Sequence, residues 1–443
     1  MRALRHLFLT QRFFLAGWAL VLLFVAAWMW PPLFVFAQLA FLLLLAAVSI
    51  DLFLLFHRNT GMDGERHTLE RWSNGDQNPV SLALRSGYGI PVRIRVLDEL
   101  PEQFQKRDLV FTAPLPAWGR HTFDYQVRPV RRGIYRYGAI QVFVRSPLGL
   151  VERRSSLDRA KEVAVYPGYL QLKRYELLAI SDRLSLAGVK RVRRIANQAE
   201  FERIKEYVPG DDRRTVNWKA TARRGRLMVN QYQDERAQQV FALIDTGRVM
   251  KMPFDGMSLL DHAINAALVI TSIAMHKEDR VGLITFSNTV HDVLPASHRR
   301  GQMGRVLQTL YAQGTDHLET DIATLFAAVD RNIHQRSLLL LFTNYESRQA
   351  MERQLPYLRQ LARRHAVVPI FFINTELEDE VAARPTETEQ VYLRTTAERM
   401  MHEKRMMARE LEGNGMPAIL CRPQDLTVSV LNRYLMMKAK GGW

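Results

Sequence analysis

A single cysteine in 443 residues, Cys421, leaves no partner for an intramolecular disulfide and too few thiolates for a cysteine-built zinc site. It sits in the apolar run "AILC" and reads as a buried, inert thiol. A chain that uses no disulfides fits a reducing compartment. The sequence also lacks a G-x-x-x-x-G-K-[ST] phosphate loop, a G-x-G-x-x-G after a strand, a G-x-S-x-G elbow and an H-E-x-x-H pair. Its twelve histidines are scattered, and His365 in "RRHAVV" and His334 in "NIHQR" read as helix-end or surface residues. No low-complexity tract stands out. With these devices missing, the expectation is a protein that is not an enzyme and carries no catalytic residues.

What is present points to several parts. The length suggests two or three domains, and 47% hydrophobic with 24% charged residues is the composition of a folded chain. The net charge of +16 is concentrated in one stretch. Residues 57–238 hold 34 basic against 21 acidic side chains, whereas residues 239–443 are nearly balanced at 24 against 23. Such an excess suits nucleic acid, an acidic partner or an anionic membrane face.

Residues 1–57 read as a membrane hairpin. The uncharged stretch 13–30 and the stretch 33–56, with Asp51 its one charge, are each about long enough to cross a bilayer, and Pro31-Pro32 break them apart. Both flanks are basic: Arg2, Arg5 and Arg12 before, Arg58, Arg66 and Arg71 after. The positive-inside rule then puts both arms, and the rest of the chain, on the cytoplasmic side of the inner membrane. A signal peptide is the rival reading, and the second span speaks against it. Trp28 and Trp30 suit an interfacial belt at the outer turn. Asp51 lies near the inner end, which suggests snorkelling or pairing within the hairpin.

Residues 58–167 alternate with period two. The runs "VSLALRS", "IPVRIRVLD", "DLVFTA", "HTFDYQVRP", "YGAIQVFV" and "EVAVYP" read as strands, with "GYGIP" and "RRGIY" as turns between them. An antiparallel β-sandwich-like domain follows, with Arg93, Arg95, Arg128 and Arg136 on a solvated face. Residues 168–237 read as a linker and signature segment. Residues 238–443 alternate strand and helix, which implies a parallel sheet covered on both faces, with ligands meeting the carboxyl ends of its strands. Asp245, Thr320-Asp321 (with Thr315 as an alternative) and Asn344 fall at those ends.

Residues 207–235, "YVPGDDRRTVNWKATARRGRLMVNQYQDE", open with Pro209-Gly210 and the pair Asp211, Asp212. Arg213, Arg214, Lys219, Arg223, Arg224 and Arg226 then surround Trp218. A Pro-Gly turn with an aspartate cap predicts a helix over about 213–224, stopped by Gly225. The acids then lie at its positive end and Arg223-Arg224 at its negative end. Thr215, Trp218 and Ala222 share a face that could bury against a sheet, leaving arginines to project. Two aspartates plus Asp234-Glu235 interrupt the basic stripe, which argues against nucleic acid.

This stretch resembles the hallmark of the bacterial "domain of unknown function 58" family, Y-x-P-G-D-D-x-R-x-I-x-W-x-x-x-A-R. It is carried here by Tyr207, Pro209, Gly210, Asp211, Asp212, Arg214, Val216, Trp218, Ala222 and Arg223. "RPVRRGIYRYG" and "SPLGLVERR" resemble further elements of that family. The resemblance implies two membrane helices, a β-rich domain and a von Willebrand factor A-like (Rossmann-type) α/β domain. It also implies a partner, a MoxR-type AAA+ ATPase, with this chain as a scaffold or adaptor held at membrane lipid. Domains of the A type often hold Mg²⁺ through D-x-S-x-S, a threonine and a second aspartate. Here Asp245 and Thr320 remain, whereas Gly247, Val249 and Asn344 stand at the other positions. The expectation is weak or no metal binding, with Asp245 capping a helix or pairing with a signature arginine instead. The alternatives are a metal-dependent adhesion-type binder and an accessory to an envelope-associated enzyme.

Overall fold

In the computed structural model the described residues are 6–56, 61–106, 109–157, 159–180, 188–189, 200–208, 215–233, 238–315, 317–382, 385 and 387–440. They divide into two units, Met1–Tyr166 and Pro167–Trp443.

The first unit begins with a short strand, β1 (Leu7–Leu9), followed by helices α1 (Gln11–Met29) and α2 (Leu33–Phe56). Both helices are long and apolar enough to cross a membrane, and little of either span is covered by protein, 6% and 11%. Trp28 and Trp30, at the turn between them, are exposed. The β strands are β2 (Met62–Thr68), β3 (Arg71–Ser73), β4 (Asn78–Ser86), β5 (Val92–Asp98), β6 (Val110–Leu115), β7 (Arg120–Val127), β8 (Gly133–Tyr137), β9 (Ile140–Arg145), β10 (Val151–Leu157) and β11 (Lys161–Tyr166). They form three sheets, ordered β1-β10-β9-β5-β6, β2-β4-β7 and β3-β11-β8. Period-two alternation buries Leu82 and Leu84 of β4 with Ile94 and Val96 of β5 and Val142 and Val144 of β9. A second cluster gathers Trp72, Tyr135, Tyr137, Val163 and Val165.

Four expectations change here. The "RRGIY" stretch, read as a turn, enters strand β8, and β11 runs parallel to β3 within an otherwise antiparallel set. Arg66, read as part of the basic flank, is buried. Its Nε donates to Asp98 Oδ2 at 3.2 Å, its guanidinium pairs with the other Asp98 oxygen, and it stacks over Tyr137. The four arginines read as one solvated face do not share one: Arg93 and Arg95 are on β5, Arg136 is on β8 of another sheet, and Arg128 follows the end of β7. Arg95 pairs with Glu152 and Arg136 with Glu162, Arg128 donates to the Gly75 carbonyl, and Arg93 is exposed.

Asp51 is also a correction. It neither snorkels nor pairs within the hairpin: its Oδ2 accepts from the amides of Leu150 and Val151 at 2.9 and 2.8 Å. Thr10 donates its hydroxyl to the Gly149 carbonyl at 2.6 Å, and Arg153 donates to the Leu55 carbonyl at 2.6 Å. The start of β10 is thereby held by Asp51 of α2 and by Thr10, the residue that caps α1, so the two apolar helices are tied to the β region.

In the second unit, helix α3 (Tyr169–Ile180) lies within the segment read as a linker. It packs on a later helix: Leu172 is buried in that core, and the Ser272 hydroxyl donates to Glu176 at 2.6 Å. Strand β12 (Glu200–Glu206), helix α4 (Trp218–Arg224) and strand β13 (Met228–Gln233) follow, with β12 and β13 antiparallel. The main sheet is built from β14 (Gln239–Asp245), β17 (Arg280–Phe286), β18 (Val290–Ser297), β19 (Leu338–Phe342), β20 (Ala366–Phe372) and β21 (Ile419–Cys421), and a minute hairpin of β15 (Pro253–Phe254) and β16 (Met257–Ser258) projects after β14. Its order is β18-β17-β14-β19-β20-β21, parallel throughout except for the edge strand β18. Sequence reading gave no strand at β18, whose residues are all half-buried or exposed and so yield a weaker pattern than the apolar central strands.

The helices are α5 (Leu259–His276), α6 (Gln302–Ala312), α7 (Ile322–Asn332), α8 (Arg348–Arg364), α9 (Thr375–Ala382), α10 (Thr388–Gly413) and α11 (Leu426–Ala439). Residues of α5, α6 and α11 pack on one face of the sheet, and residues of α7, α8 and α10 on the other. Helix α5 also has the length and hydropathy of a membrane span, but 83% of it is buried in protein, so it is a core helix. Cys421 is buried, and burial pushes its thiol up to about 12, which keeps it unreactive near neutrality. His365 caps the C-terminus of α8 and is held below its usual value by burial and then Arg364, whereas His334 is exposed.

Candidate functional site

The signature is the excursion at the tip of the β12–β13 hairpin. Tyr207, half-buried, donates its amide to the Leu227 carbonyl, and Asn217 donates its amide to the Met228 carbonyl, so the loop closes on itself. Pro209, Gly210, Asp211, Asp212, Arg213 and Arg214 lie outside the described residues. Among the described residues the α-helix starts at Trp218, where Asn217 supplies the cap: its Oδ1 accepts from the Ala220 amide at 3.0 Å. Gly225, at φ 65°, stops it as expected.

The buried-face expectation fails. Trp218 is 72% exposed and Ala222 is exposed, while Thr221 turns inward and accepts from the Met228 amide at 3.0 Å. Arg223, Arg224 and Lys219 are exposed and have no acidic partner among the described residues, whereas Arg226 pairs with Glu206 at 3.2 Å. Val208 and Leu227 add exposed apolar surface. The Asn217 cap was legible in "NWKATARRG", since Asn seven residues before Arg224-Gly225 brackets one short helix.

The second constellation sits at the carboxyl end of β14. Asp245 is fully buried. Its Oδ1 accepts from the Gly247 amide at 2.8 Å, its Oδ2 from the Thr343 hydroxyl at 2.6 Å, and the Thr320 hydroxyl bridges both oxygens at 2.8 Å. None of these bonds caps a helix, and the signature arginines Arg213 and Arg214 lie outside the described residues. Thr320, and not Thr315, is the threonine that reaches it; Thr315 accepts from the His317 amide instead. Asp321 caps α7 by accepting from Ala323. Gly247 has no room for a side chain. A Cβ there would stand 2.6 Å from Thr320 Oγ1 and 3.0 Å from Asp245 Oδ1.

Asn344 makes no bond to Asp245. Its Oδ1 accepts from Lys404 Nζ at 2.7 Å, so an ammonium already stands at the place of the second acid. Lys404 comes from α10, and burial holds it down at about 8, with Glu346 pulling the opposite way. Burial and then Asp245 push Tyr345 upward. These donors do not suit Mg²⁺, which demands several free hard oxygens in octahedral array. Both Asp245 oxygens are taken and the Asn344 oxygen is bound to a cation. Among the described residues no three His, Cys, Asp or Glu side chains group as a metal site. Sequence reading missed Thr343 and Lys404. Thr343 adjoins Asn344 in a strand end and could have been found, whereas Lys404 lies in a polar helix and carries no local signal.

A substitution tests the Lys404 contact. In the native chain the folded state loses the Lys404 proton near pH 8 and the unfolded state near 10.5, so stability rises as pH climbs through that window. Asn344→Asp places a carboxylate on the ammonium, raises its pKa and flattens that rise. Denaturant midpoints between pH 8 and 10.5 read the difference, and an unchanged slope overturns the contact.

Residues 203–405 match the profile of the family described as "Protein of unknown function DUF58". The DUF58 match therefore takes in both the signature helix and the Asp245 constellation. Among curated relatives, "Uncharacterized protein YeaD" of Bacillus subtilis (strain 168) is 26% identical over 181 residues, 39% of this chain and 44% of that protein. "Uncharacterized protein Rv1480" of Mycobacterium tuberculosis is 25% identical over 166 residues, 37% of this chain and 51% of that protein. The chain thus spans about half the length of the curated relatives it matches. Among solved structures, the conserved hypothetical protein BatB from Bacteroides thetaiotaomicron is 12% identical with a TM-score of 0.31, covering 46% of this chain and 99% of that one. That score is low.

Proposed function

We propose that the protein is a membrane-anchored, cytoplasm-facing adaptor of the DUF58 family that docks a MoxR-type AAA+ ATPase and serves the assembly or remodelling of protein complexes. ATP chemistry belongs to the partner; this chain supplies docking and location. The six-stranded sheet with one antiparallel edge and helices on both faces supports a von Willebrand factor A-like reading of the second unit. The core shared by β4 with β5 and β9 supports a sandwich-like reading of the first. The basic arms on either side of the helical hairpin support its placement in a bacterial inner membrane with both ends in the cytoplasm.

The observation that carries the proposal is the exposed Trp218 among Arg223, Arg224 and Lys219 on a short, doubly tied helix. Trp and Arg are the residue types that anchor protein interfaces, and a rigid mount lowers the cost of ordering them. The metal-dependent adhesion reading has less support, because the Asp245 oxygens are already engaged.

Affinity capture of the detergent-solubilised full chain from its native host tests the idea. The wild type should recover an AAA+ ATPase, and Trp218→Ala with Arg223→Ala should reduce that recovery at least about tenfold, as loss of an interface anchor does. Recovery of no ATPase, or equal recovery by the variant, overturns it.

A further inference from the structure

Where α1 meets the β region, a cavity of about 500 Å³ opens between β5, the end of β6 and the loop before β10. Its lining includes Arg12, Arg93 and Arg145, with Pro114, Leu115 and Gly149, and no acidic residue. Arg145 is shared with Glu152, at 3.2 Å. Arg12 and Arg93 are exposed and have no acidic partner among the described residues. Arg12 lies across Gly149, where a Cβ would come within 3.3 Å of Arg12 Nη1, and Gly149 adopts φ 69°. Glycine at that position therefore allows both the turn and the close crossing of the guanidinium.

The position of this cavity gives it a ligand. Arg12 is the second residue of α1, and Thr10 ties the helix start to the Gly149 carbonyl. Leu148 on the same loop is exposed, and so is Trp118, which packs beside Gly89 just past the lining residue Pro116. An exposed Trp beside arginines suits the headgroup level, and an exposed Leu suits the acyl boundary next to it. On the reading that the hairpin spans a membrane, the bilayer surface passes the mouth of this cavity.

We infer that the cavity binds the phosphodiester of an anionic phospholipid, with Arg12 and Arg93 as its principal contacts and Arg145 completing the site. Guanidinium forks match phosphate oxygens in pairs, and the cytoplasmic leaflet is where anionic lipid concentrates. The volume exceeds that of a bare phosphate and falls in the range of small-molecule sites. The inference rests on the membrane reading of the two helices, and its test separates the two.

Native mass spectrometry of the full chain, released from detergent after exposure to phosphatidylglycerol or phosphatidylcholine, reads retained lipid directly. The wild type should retain phosphatidylglycerol in preference, and Arg12→Gln with Arg93→Gln should lower that retention roughly tenfold or more. Arg136→Gln, on another sheet, should leave it unchanged. Equal retention of the two lipids, equal retention by the double variant, or full competition by millimolar inorganic phosphate overturns the lipid site. Alkaline carbonate washing of native membranes reports the anchor separately. Release of the chain sinks the membrane reading, while retention without lipid preference sinks only the site.

Discussion

Asp98→Ala should cost the β region about 3–5 kcal/mol, the range for removing one partner of a buried ion pair. Arg66 is almost wholly buried, and Asp98 is its only carboxylate contact among the described residues. The same guanidinium donates to the carbonyls of Arg159 and Gly138, at 2.9 and 3.2 Å, and the Tyr125 hydroxyl donates to Asp98. Burial, and then Asp98, push Tyr125 far above its ordinary value, so it stays a donor at any physiological pH. Arg66 is on β2, Asp98 ends β5, Tyr125 is on β7 and Tyr137 is on β8, so one network touches all three sheets. Alanine would strand a cation at their junction. Hydrogen exchange of the full chain in detergent should then quicken by about 100-fold or more in peptides from β2, β5 and β8, since 1.4 kcal/mol is tenfold. Exchange confined to wild-type rates would show the pair to be dispensable. An Arg66→Met, Asp98→Leu double variant should recover much of the loss, because removing both charges leaves neither unpaired.

The sequence carries this region unevenly. Strands β4, β5, β6, β7, β9 and β11 were legible because each alternates over six or more residues. Strand β10, "VERRSSL", was not, since a buried Glu152 and a half-buried arginine occupy places where an apolar residue would signal a core face. Arg66 and Asp51 misled for the same reason. Each is a charge whose partner is distant, 32 residues away for Arg66 and about 100 for Asp51, and no local rule finds it. In the second unit every central strand and the helices α5, α6, α7, α8 and α11 were legible from apolar periodicity, and α10 as a long polar helix. The site was legible only in part. Asp245 and Thr320 could be placed by motif spacing, but Lys404 reaches Asn344 across 60 residues from a helix whose sequence reads as solvated. The signature was recognised as a unit, yet its burial was misjudged. Spacing says which side chains share a helix face, and packing alone says which face is covered.

The second large effect belongs to Asp245. Asp245→Ala leaves the Gly247 amide and the Thr320 and Thr343 hydroxyls without their common acceptor at the crest of the sheet. One buried unsatisfied donor costs about 1–3 kcal/mol. The hydroxyls can turn to other acceptors and the amide cannot, so a loss of about 2–5 kcal/mol is expected. Exchange of amides near the carboxyl ends of β14 and β19 should rise roughly 30-fold or more. Repeating the measurement with millimolar Mg²⁺ turns a stability experiment into a test of ligand chemistry. A working metal site would bind its ion in the folded state alone and slow exchange in proportion to occupancy. Here the carboxylate accepts from the Gly247 amide and the Thr320 and Thr343 hydroxyls, and Mg²⁺ should leave wild-type exchange unchanged. Restoring a serine at Gly247 should not recover metal binding, because its Cβ would fall 2.6 Å from Thr320 Oγ1. Slowing by Mg²⁺ in the wild type, lost in Asp245→Ala, would return recognition to the sheet crest. An unchanged rate leaves the crest as a closed internal joint.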